Sequence, residues 1–306
     1  MSNSGMRIGF DGLGIMGRPM AANLLKAGYQ LMVFDHHQEH IDELTEKGAA
    51  AATCGRDLSE FADLVITMLP NSPNVKDAVF GKDGIAEGMK EDRSVLIDMS
   101  SIDPVESRSI AKALSKIGAD MLDAPVSGGE PKAIDGTISI MVGGKEESFN
   151  KYKEVLAAMG KAVTYIGPIG AGNVAKLANQ MIVAANIGAV SEAFTFAKKA
   201  GTDPAKVFEA IRGGLAGSTV MDAKVPMMLA GNYNPGFRCE LHVKDLTNAL
   251  NAAHAINMPV PLTAFMMEVF QELVNHGEGK RDHDDIVRYY ERLSGVSIKT
   301  DEQKDE

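Results

Sequence analysis

Short apolar runs punctuate the first 170 residues of this chain and then stop. They are Met6–Phe10, Leu31–Phe34, Leu64–Leu69, Val95–Met99, Met121–Ala124, Ile138–Val142 and Ala162–Ile166, closed by breakers such as Asp35 and Pro70. Helical stretches such as Arg18–Ala27, Glu39–Glu46 and Pro104–Lys116 lie between them. Strands alternating with helices predict a largely parallel sheet covered on both faces. From Asn173 to about Ala200 the pattern changes. Val174, Leu177, Met181, Ile182 and Ala185 recur at helical spacing, with Asn173 placed to cap the start and Gly201 to end the run. A helix of that length spans roughly 40 Å, enough to join two domains. Helical segments at Pro204–Gly213, Val220–Ala230, Val243–Ile256, Pro261–His276 and Asp284–Leu293 complete an all-α second half. The expected fold class is therefore α/β plus all-α. A Rossmann-type dinucleotide-binding domain covers 1–168 and a helical domain for substrate and oligomerisation covers 169–306, joined by the long helix at 169–200.

The first run leads into Gly12-Leu13-Gly14-Ile15-Met16-Gly17. A G-x-G-x-x-G on its own says little. Between a strand and a helix it is the dinucleotide fingerprint. Gly12 permits the tight turn, Gly14 lets backbone approach a pyrophosphate, and Gly17 lets helix pack on strand. The helix N-terminus then offers its free N–H groups to phosphate. A glycine-rich turn without a ligand is the alternative. Against it stands Asp35, which closes the second run 18 residues after Gly17. A carboxylate there accepts from the adenosine ribose hydroxyls and repels a 2′-phosphate, which favours NAD over NADP while leaving NADP possible. His36 and His37 follow; a cationic histidine would offset the repulsion, and a solvated loop is the blander reading. Asp11 stands where an apolar strand residue is expected, and an unpaired buried carboxylate is unfavourable.

Three further segments carry candidate chemistry. In Asp123-Ala124-Pro125-Val126-Ser127-Gly128-Gly129 the serine and glycines are expected on a loop at a strand's carboxyl end, where open α/β sheets bind ligands. An ordinary turn is the alternative. In Gly170-Ala171-Gly172-Asn173-Val174-Ala175-Lys176-Leu177-Ala178-Asn179-Gln180, Lys176 falls near the positive end of the long helix and shares a face with Asn179. That field, with partial burial, lowers a lysine pKa toward neutrality and suits it to proton transfer. An exposed surface lysine is the competing reading. In Leu241-His242-Val243-Lys244-Asp245-Leu246, Lys244 either reaches a carboxylate or the nicotinamide ribose or forms a surface ion pair.

The four motifs GLGIMG, DAPVSGG, GAGNVAKLANQ and KDL occur in this order in the β-hydroxyacid dehydrogenases, which the chain resembles from about residue 6 to 295. The resemblance implies that Lys176 is the acid/base and that Ser127, Gly128, Gly129 and Asn179 bind the substrate. It implies that Lys244 lies near nicotinamide and substrate, and that Ser101 and the loop Leu69-Pro70-Asn71 lie along the cofactor. The segments ITMLPNSPNVKDAVFG, IDMSSIDP, IRGGLAGSTVMDAKVP and PGFRCELHVKDLTNAL narrow the resemblance to members that reduce tartronate semialdehyde to glycerate, with 3-hydroxyisobutyrate oxidation second. Asp11 departs from the family's usual apolar residue. A non-catalytic NAD-binding scaffold is the reading from another class, disfavoured by the lysine at a helix start.

Composition bounds the rest. The net charge of −10 argues against a nucleic-acid partner, which would need clustered Lys and Arg. No run reaches the roughly 18 apolar residues of a membrane span, and the start MSNSGMRIGF is not a signal peptide, so a cytosolic protein is expected. The two cysteines, Cys54 and Cys239, fit no metal motif, and the chemistry asks for no metal. The partners expected are a small carboxylic-acid substrate and a second copy of the chain. The Met227-Met228 and Met266-Met267 pairs lean toward a homo-oligomer, dimer or tetramer, although Met pairs are more often core filler. Residues 1–5 and the charged tail 297–306 are expected to be disordered.

Overall fold

The computed structural model describes residues 5–90 and 94–300. The chain divides into two compact units, Met1–Lys176 and Leu177–Glu306. The division falls inside a continuous helix, where the sequence places the boundary at 168/169.

The first unit contains β1 (Arg7–Asp11), α1 (Gly17–Lys26), β2 (Gln30–Phe34), α2 (Gln38–Thr45), β3 (Ala50–Ala51) and α3 (Gly55–Phe61). It continues with β4 (Leu64–Thr67), α4 (Ser72–Phe80), α5 (Ile85–Gly88), β5 (Val95–Asp98), α6 (Pro104–Ser115) and β6 (Asp120–Asp123). The last elements are β7 (Val126–Ser127), α7 (Gly129–Ile134), β8 (Ile138–Gly143), α8 (Glu146–Ala157), β9 (Gly160–Gly167) and the start of α9 (Ala171–Lys199). The strands form one sheet in the order β3-β2-β1-β4-β5-β6-β8-β7, with β9 paired to β8. The six strands from β3 to β6 are parallel, while β8 runs antiparallel to β6 and β7. The order 3-2-1-4-5-6 reverses direction between β1 and β4, and such a switch point opens a crevice at the strands' carboxyl ends.

Two apolar layers cover the sheet. Ile8, Phe10, Leu31, Val33, Ile66 and Ile97 pack with Met20 and Leu24 of α1 in one cluster. Val65, Leu96 and Met121 pack with Val75, Val79, Ile110 and Leu114 in the other. Adjacent residues of one strand thus serve opposite faces, as the pleat requires, and strands covered on both faces read as continuous apolar runs. α1 buries Met20, Ala21 and Leu24, one stripe at helical spacing.

The second unit holds the rest of α9, then α10 (Pro204–Ile211), α11 (Thr219–Ala230), α12 (Cys239–Ala255), α13 (Pro261–Asn275), a 3₁₀ turn (His283–Ile286) and α14 (Val287–Ser294). Among the described residues it contains no strand, only the isolated bridge Arg238–Asp282. Its core joins Ile187 and Phe194 of α9 to Val225, Leu246, Phe270 and Ile286. Met228 and Met266 belong to that core, so these methionines are filler there.

Several local expectations change. α9 begins at Ala171, so Asn173 is a helical residue and does not cap the helix. Lys176 therefore lies in the second turn. Gly201, with φ +80°, does end the helix region. Val126–Ser127 form a short strand on β8, because the Ala124-Pro125 turn swings the chain back, where a loop was expected. Residues 297–300 do not fit a disordered tail: Ile298 is buried in the core, and Thr300 N donates to Leu229 O at 2.9 Å. Positions 1–4 and 301–306, also expected to be disordered, lie outside the described residues. No helix among the described residues is long and apolar enough to cross a membrane. Cys54 and Cys239 are free thiols.

Candidate active site

The glycine loop connects β1 to α1 at the switch point. Gly12 has φ +96°, and a Cβ on it would lie 2.4 Å from Met68 O, so both conformation and packing demand glycine. A Cβ on Gly17 would lie 1.9 Å from Gly12 O. Gly14 is different: a Cβ there meets nothing within 4 Å. Gly14 and Ile15 form an exposed tip at the N-terminal end of α1, with Leu13 buried beneath and Met16 half-buried beside them. Nothing in the chain itself requires a glycine at 14. The space over it suits a group brought in from outside, which is the fit a pyrophosphate needs at a helix N-terminus.

Asp35 follows β2 and turns back onto this loop. Its Oδ2 accepts from Leu13 N at 2.6 Å, and its Oδ1 accepts from His37 N at 2.8 Å. His37 Nδ1 lies 3.0 Å and His40 Nδ1 3.3 Å from Oδ1. Burial works to raise the carboxyl's pKa. The backbone N–H groups of His37 and Leu13, with the two histidines, outweigh that and hold it below the ordinary value. Of the two histidines flagged in the sequence, His37 reaches Asp35. His40, in the first turn of α2, is a neighbour that periodicity did not reveal.

The carboxyl ends of the strands carry a row of polar residues in register: Asp11 beside Thr67, Thr67 beside Asp98, and Asp98 beside Asp123. Each is the last residue of its strand, and a polar residue at the end of an apolar stretch is the signal in the sequence that could have found them. Burial, then the charge of Asp35, pushes the Asp11 carboxyl up to about 7. Asp11 is thus not buried as a fixed anion, which answers its odd position in an apolar strand. Burial likewise raises Asp98 to about 6, although Thr67 Oγ1 donates to it at 2.9 Å and Ser100 N at 3.1 Å. Ser100 Oγ in turn accepts from Leu69 N at 2.9 Å, fixing the loop after β4. Pro70 is exposed in that loop, and Asn71 Oδ1 accepts from Asn74 N at 3.0 Å as the cap of α4. Ser101 is half-buried in the turn after β5.

Asp123 ends β6 and receives the start of α9. Gly170 N donates to Oδ1 at 2.6 Å and Asn173 N to Oδ2 at 2.7 Å. Gly143 and Gly172 make room for it, since a Cβ on either would lie within 3.0 Å of an Asp123 carboxylate oxygen. Asn173 Oδ1 accepts from Ile102 N at 3.1 Å, and its Nδ2 donates to Ser107 Oγ at 3.1 Å. These bonds tie the beginning of α9 to the loop after β5. Lys176 follows one turn later and is only 7% exposed, which excludes the exposed surface lysine. A buried carboxylate at the helix start opposes the helix field, and that field fades beyond the first turn. Ser127 is half-buried, and Gly128 and Gly129 follow it at φ +142° and +72° at the start of α7.

In the second unit, Gln180 is the buried amide of the pair flagged in the sequence. Its Nε2 donates to Asp245 Oδ2 at 2.7 Å, and Asn179 Nδ2 donates to Gln180 Oε1 at 2.9 Å. Asn179 is half-buried, so its amide is the accessible one. Lys244 Nζ pairs with Asp245 Oδ1 at 3.1 Å. A polar chain that sequence reasoning missed continues from there: His242 Nε2 lies 3.2 Å from Gln180 O, and His242 Nδ1 lies 3.2 Å from His283 Nδ1.

Residues 7–167 match the family described as the NAD binding domain of 6-phosphogluconate dehydrogenase. Residues 170–290 match the one described as NAD-binding of NADP-dependent 3-hydroxyisobutyrate dehydrogenase. The chain is 42% identical to 2-hydroxy-3-oxopropionate reductase of Escherichia coli K12 over 96% of its own length and 100% of the relative's. It is 37% identical to mitochondrial 3-hydroxyisobutyrate dehydrogenase of Mus musculus, covering 92% of this chain and 86% of that one. A solved structure of Mycobacterium tuberculosis 3-hydroxyisobutyrate dehydrogenase with L-serine superimposes with a TM-score of 0.86 at 30% identity, over 92% of this chain and 98% of the other. With a reversing parallel sheet, a glycine loop at its switch point and these whole-length matches, the chain belongs to the β-hydroxyacid dehydrogenases, enzymes that oxidise or reduce small hydroxyacids with a nicotinamide dinucleotide.

Proposed function

We propose that the enzyme reduces tartronate semialdehyde (2-hydroxy-3-oxopropionate) to glycerate, with Lys176 as the general acid. The observation that carries this reading is the burial of Lys176 on α9, in a chain whose relative of that activity matches along its whole length. When bound, the reduced nicotinamide supplies the hydride. The residues of the chain do the rest. Backbone N–H groups of Gly14, Ile15 and Met16, in the loop framed by Gly12, Leu13 and Gly17, cradle the pyrophosphate. Asp35 accepts from the adenosine ribose hydroxyls. Leu69, Pro70, Asn71 and Ser101 line the path of the dinucleotide. Ser127 and the N–H groups of Gly128 and Gly129 hold the substrate carboxylate. Asn179 orients the substrate hydroxyl or Lys176, and Lys244 supports nicotinamide and substrate. Lys176 holds a proton at Nζ and passes it to the aldehyde oxygen as that oxygen gains charge, leaving a neutral amine. The reverse oxidation returns the proton to the same nitrogen.

NAD(H) is the proposed cofactor, because Asp35 is kept ionised where a 2′-phosphate would lie. The division of labour is a dinucleotide domain at 1–168 and a helical substrate and oligomerisation domain at 169–306, acting in the cytosol as a homo-oligomer. Ile182 and Phe196 of α9 and Leu262 and Phe265 of α13 are exposed apolar side chains that support self-association. Steady-state kinetics on tartronate, methylmalonate and succinic semialdehydes with NADH and NADPH test the proposal. The highest kcat/KM belongs to tartronate semialdehyde with NADH. Preference for methylmalonate semialdehyde overturns the substrate, and an NADPH preference of about tenfold, equivalent to about 1.4 kcal/mol, overturns the cofactor.

A further inference from the structure

Asp35, His37 and His40 converge where β2 hands over to α2. Their donor atoms lie within 4.8 Å of one another, the one such grouping of three His, Cys, Asp or Glu ligands among the described residues. Zinc-class ions bind imidazole nitrogen and carboxylate oxygen at about 2.0–2.2 Å in a tetrahedron, which sets neighbouring donors about 3.3 Å apart. His37 Nδ1 and His40 Nδ1 lie 3.0 and 3.3 Å from Asp35 Oδ1. Two imidazoles on one tetrahedral ion place their ring centres about 5 Å apart, and the rings of His37 and His40 are 5.0 Å apart.

A second observation is independent of these distances. His40 Nδ1 is shut off from solvent and makes no hydrogen bond, although it faces Asp35. A buried nitrogen without a partner is unfavourable, and a cation at the centre of the cluster provides one. The carboxylate is also held from behind, as ligating carboxylates are. Leu13 N occupies Oδ2 and His37 N takes one lone pair of Oδ1, leaving the other lone pair toward the histidines. Glu39 adds negative charge, with its Oε1 3.9 Å from His40 Nε2. His37 is exposed, so an ion has an entry path and room for a water ligand.

We propose that Asp35, His37 and His40 form a binding site for a divalent transition-metal ion of the zinc class. The ion takes no part in the reaction. Because it uses the carboxylate assigned above to the adenosine ribose, it excludes the dinucleotide and inhibits the enzyme; this consequence rests on that assignment.

The test titrates Co²⁺, by its visible absorption, and Zn²⁺, by calorimetry, into the full-length protein without dinucleotide. Asp35→Asn, His37→Gln and His40→Gln are measured beside the wild type, each checked for fold by circular dichroism. One ion per chain is expected, with a Kd raised about tenfold or more by each substitution. Absence of binding, or equal binding by all three variants, overturns the site. NADH is then titrated with and without saturating Zn²⁺. A weaker apparent NADH affinity with Zn²⁺ supports the exclusion. Zn²⁺ bound with NADH affinity unchanged leaves the metal site standing and overturns the ribose assignment of Asp35.

Discussion

At the sheet edge of the first unit, Asp123 is buried against two backbone N–H groups; in the second unit, both oxygens of Asp284 are buried with no donor facing them. Asp282, two residues before Asp284, shows the opposite treatment. Lys224 Nζ donates to it at 2.7 Å, Gly236 N at 2.8 Å and Phe237 N at 3.0 Å. Burial disfavours the Asp282 anion, but His283, Lys224 and those N–H groups hold its pKa well below the ordinary range. Burial, and then the charge of Asp282, pushes Asp284 up to about 8. Burial alone therefore does not decide which carboxyl is charged. Facing donors pull against it: at Asp282, with Lys224 among them, they prevail, whereas at Asp123 and Asp98 burial still raises the carboxyl. The two units use this differently. At the sheet edge the buried carboxyls lie at the strand ends, Asp123 against the start of α9. In the turn before α14 they are sealed among helices and serve packing.

Four experiments press on that contrast. The largest effect is expected at Lys176. Lys176→Ala should lower turnover by roughly 10²–10⁴-fold while circular dichroism and NADH binding stay unchanged. Lys176→Arg should fail nearly as badly, because arginine cannot release a proton near neutrality. Activity restored by arginine would reduce the lysine to a charge stabiliser.

Asp282→Ala should do the reverse, costing stability with no direct part in the chemistry. Removing one partner of a buried pair costs about 3–5 kcal/mol, so urea unfolding should shift strongly. A change under about 1 kcal/mol would show that Lys224 and the turn find other partners.

Gly14→Val comes third. The fold should be kept, since a Cβ at Gly14 meets nothing. NADH affinity should fall about tenfold or more, or about 1.4 kcal/mol, by fluorescence titration. Unchanged affinity in a folded variant would make the loop a plain turn.

The last test, an effect confined to one pH window, concerns the raised carboxyls. A folded-state pKa above the unfolded value means that the folded chain holds a proton the unfolded chain releases. Stability is then lost as pH rises from the ordinary carboxyl range to about 7 for Asp11 and about 8 for Asp284. Asp11→Asn and Asp284→Asn should each raise stability above that window and do little near about pH 4. Equal gains at both ends would mean that charge is not the cause.

Much of this was legible in the sequence. The seven apolar runs became strands: β4 and β5, covered on both faces, read as uninterrupted apolar strings, while β2 and β9 are apolar runs that stay partly exposed. Short elements with little apolar signal escaped: β3 and β7 have two residues each, and α5 has four. α8 escaped although it is long, its apolar positions being spread among charged residues. Lys176 was found by motif. α9 began ahead of the expected Asn173 cap, which moved Lys176 out of the first turn, and Asp123 stood at the helix start.

By itself the sequence determined the alternation of strand and helix, the glycine loop and the family. Backbone preference, periodicity and short-range sterics act over a few residues, and these features need no more. Only the tertiary structure decided which carboxyls meet donors. It placed Asp123 against the start of α9, 47 and 50 positions along the chain, and Asp35 against Leu13, 22 positions away. It left Asp284 with no donor and set His40 beside Asp35. Charge in a protein interior depends on whichever atoms lie within hydrogen-bond reach, and folding assembles that neighbourhood from distant positions.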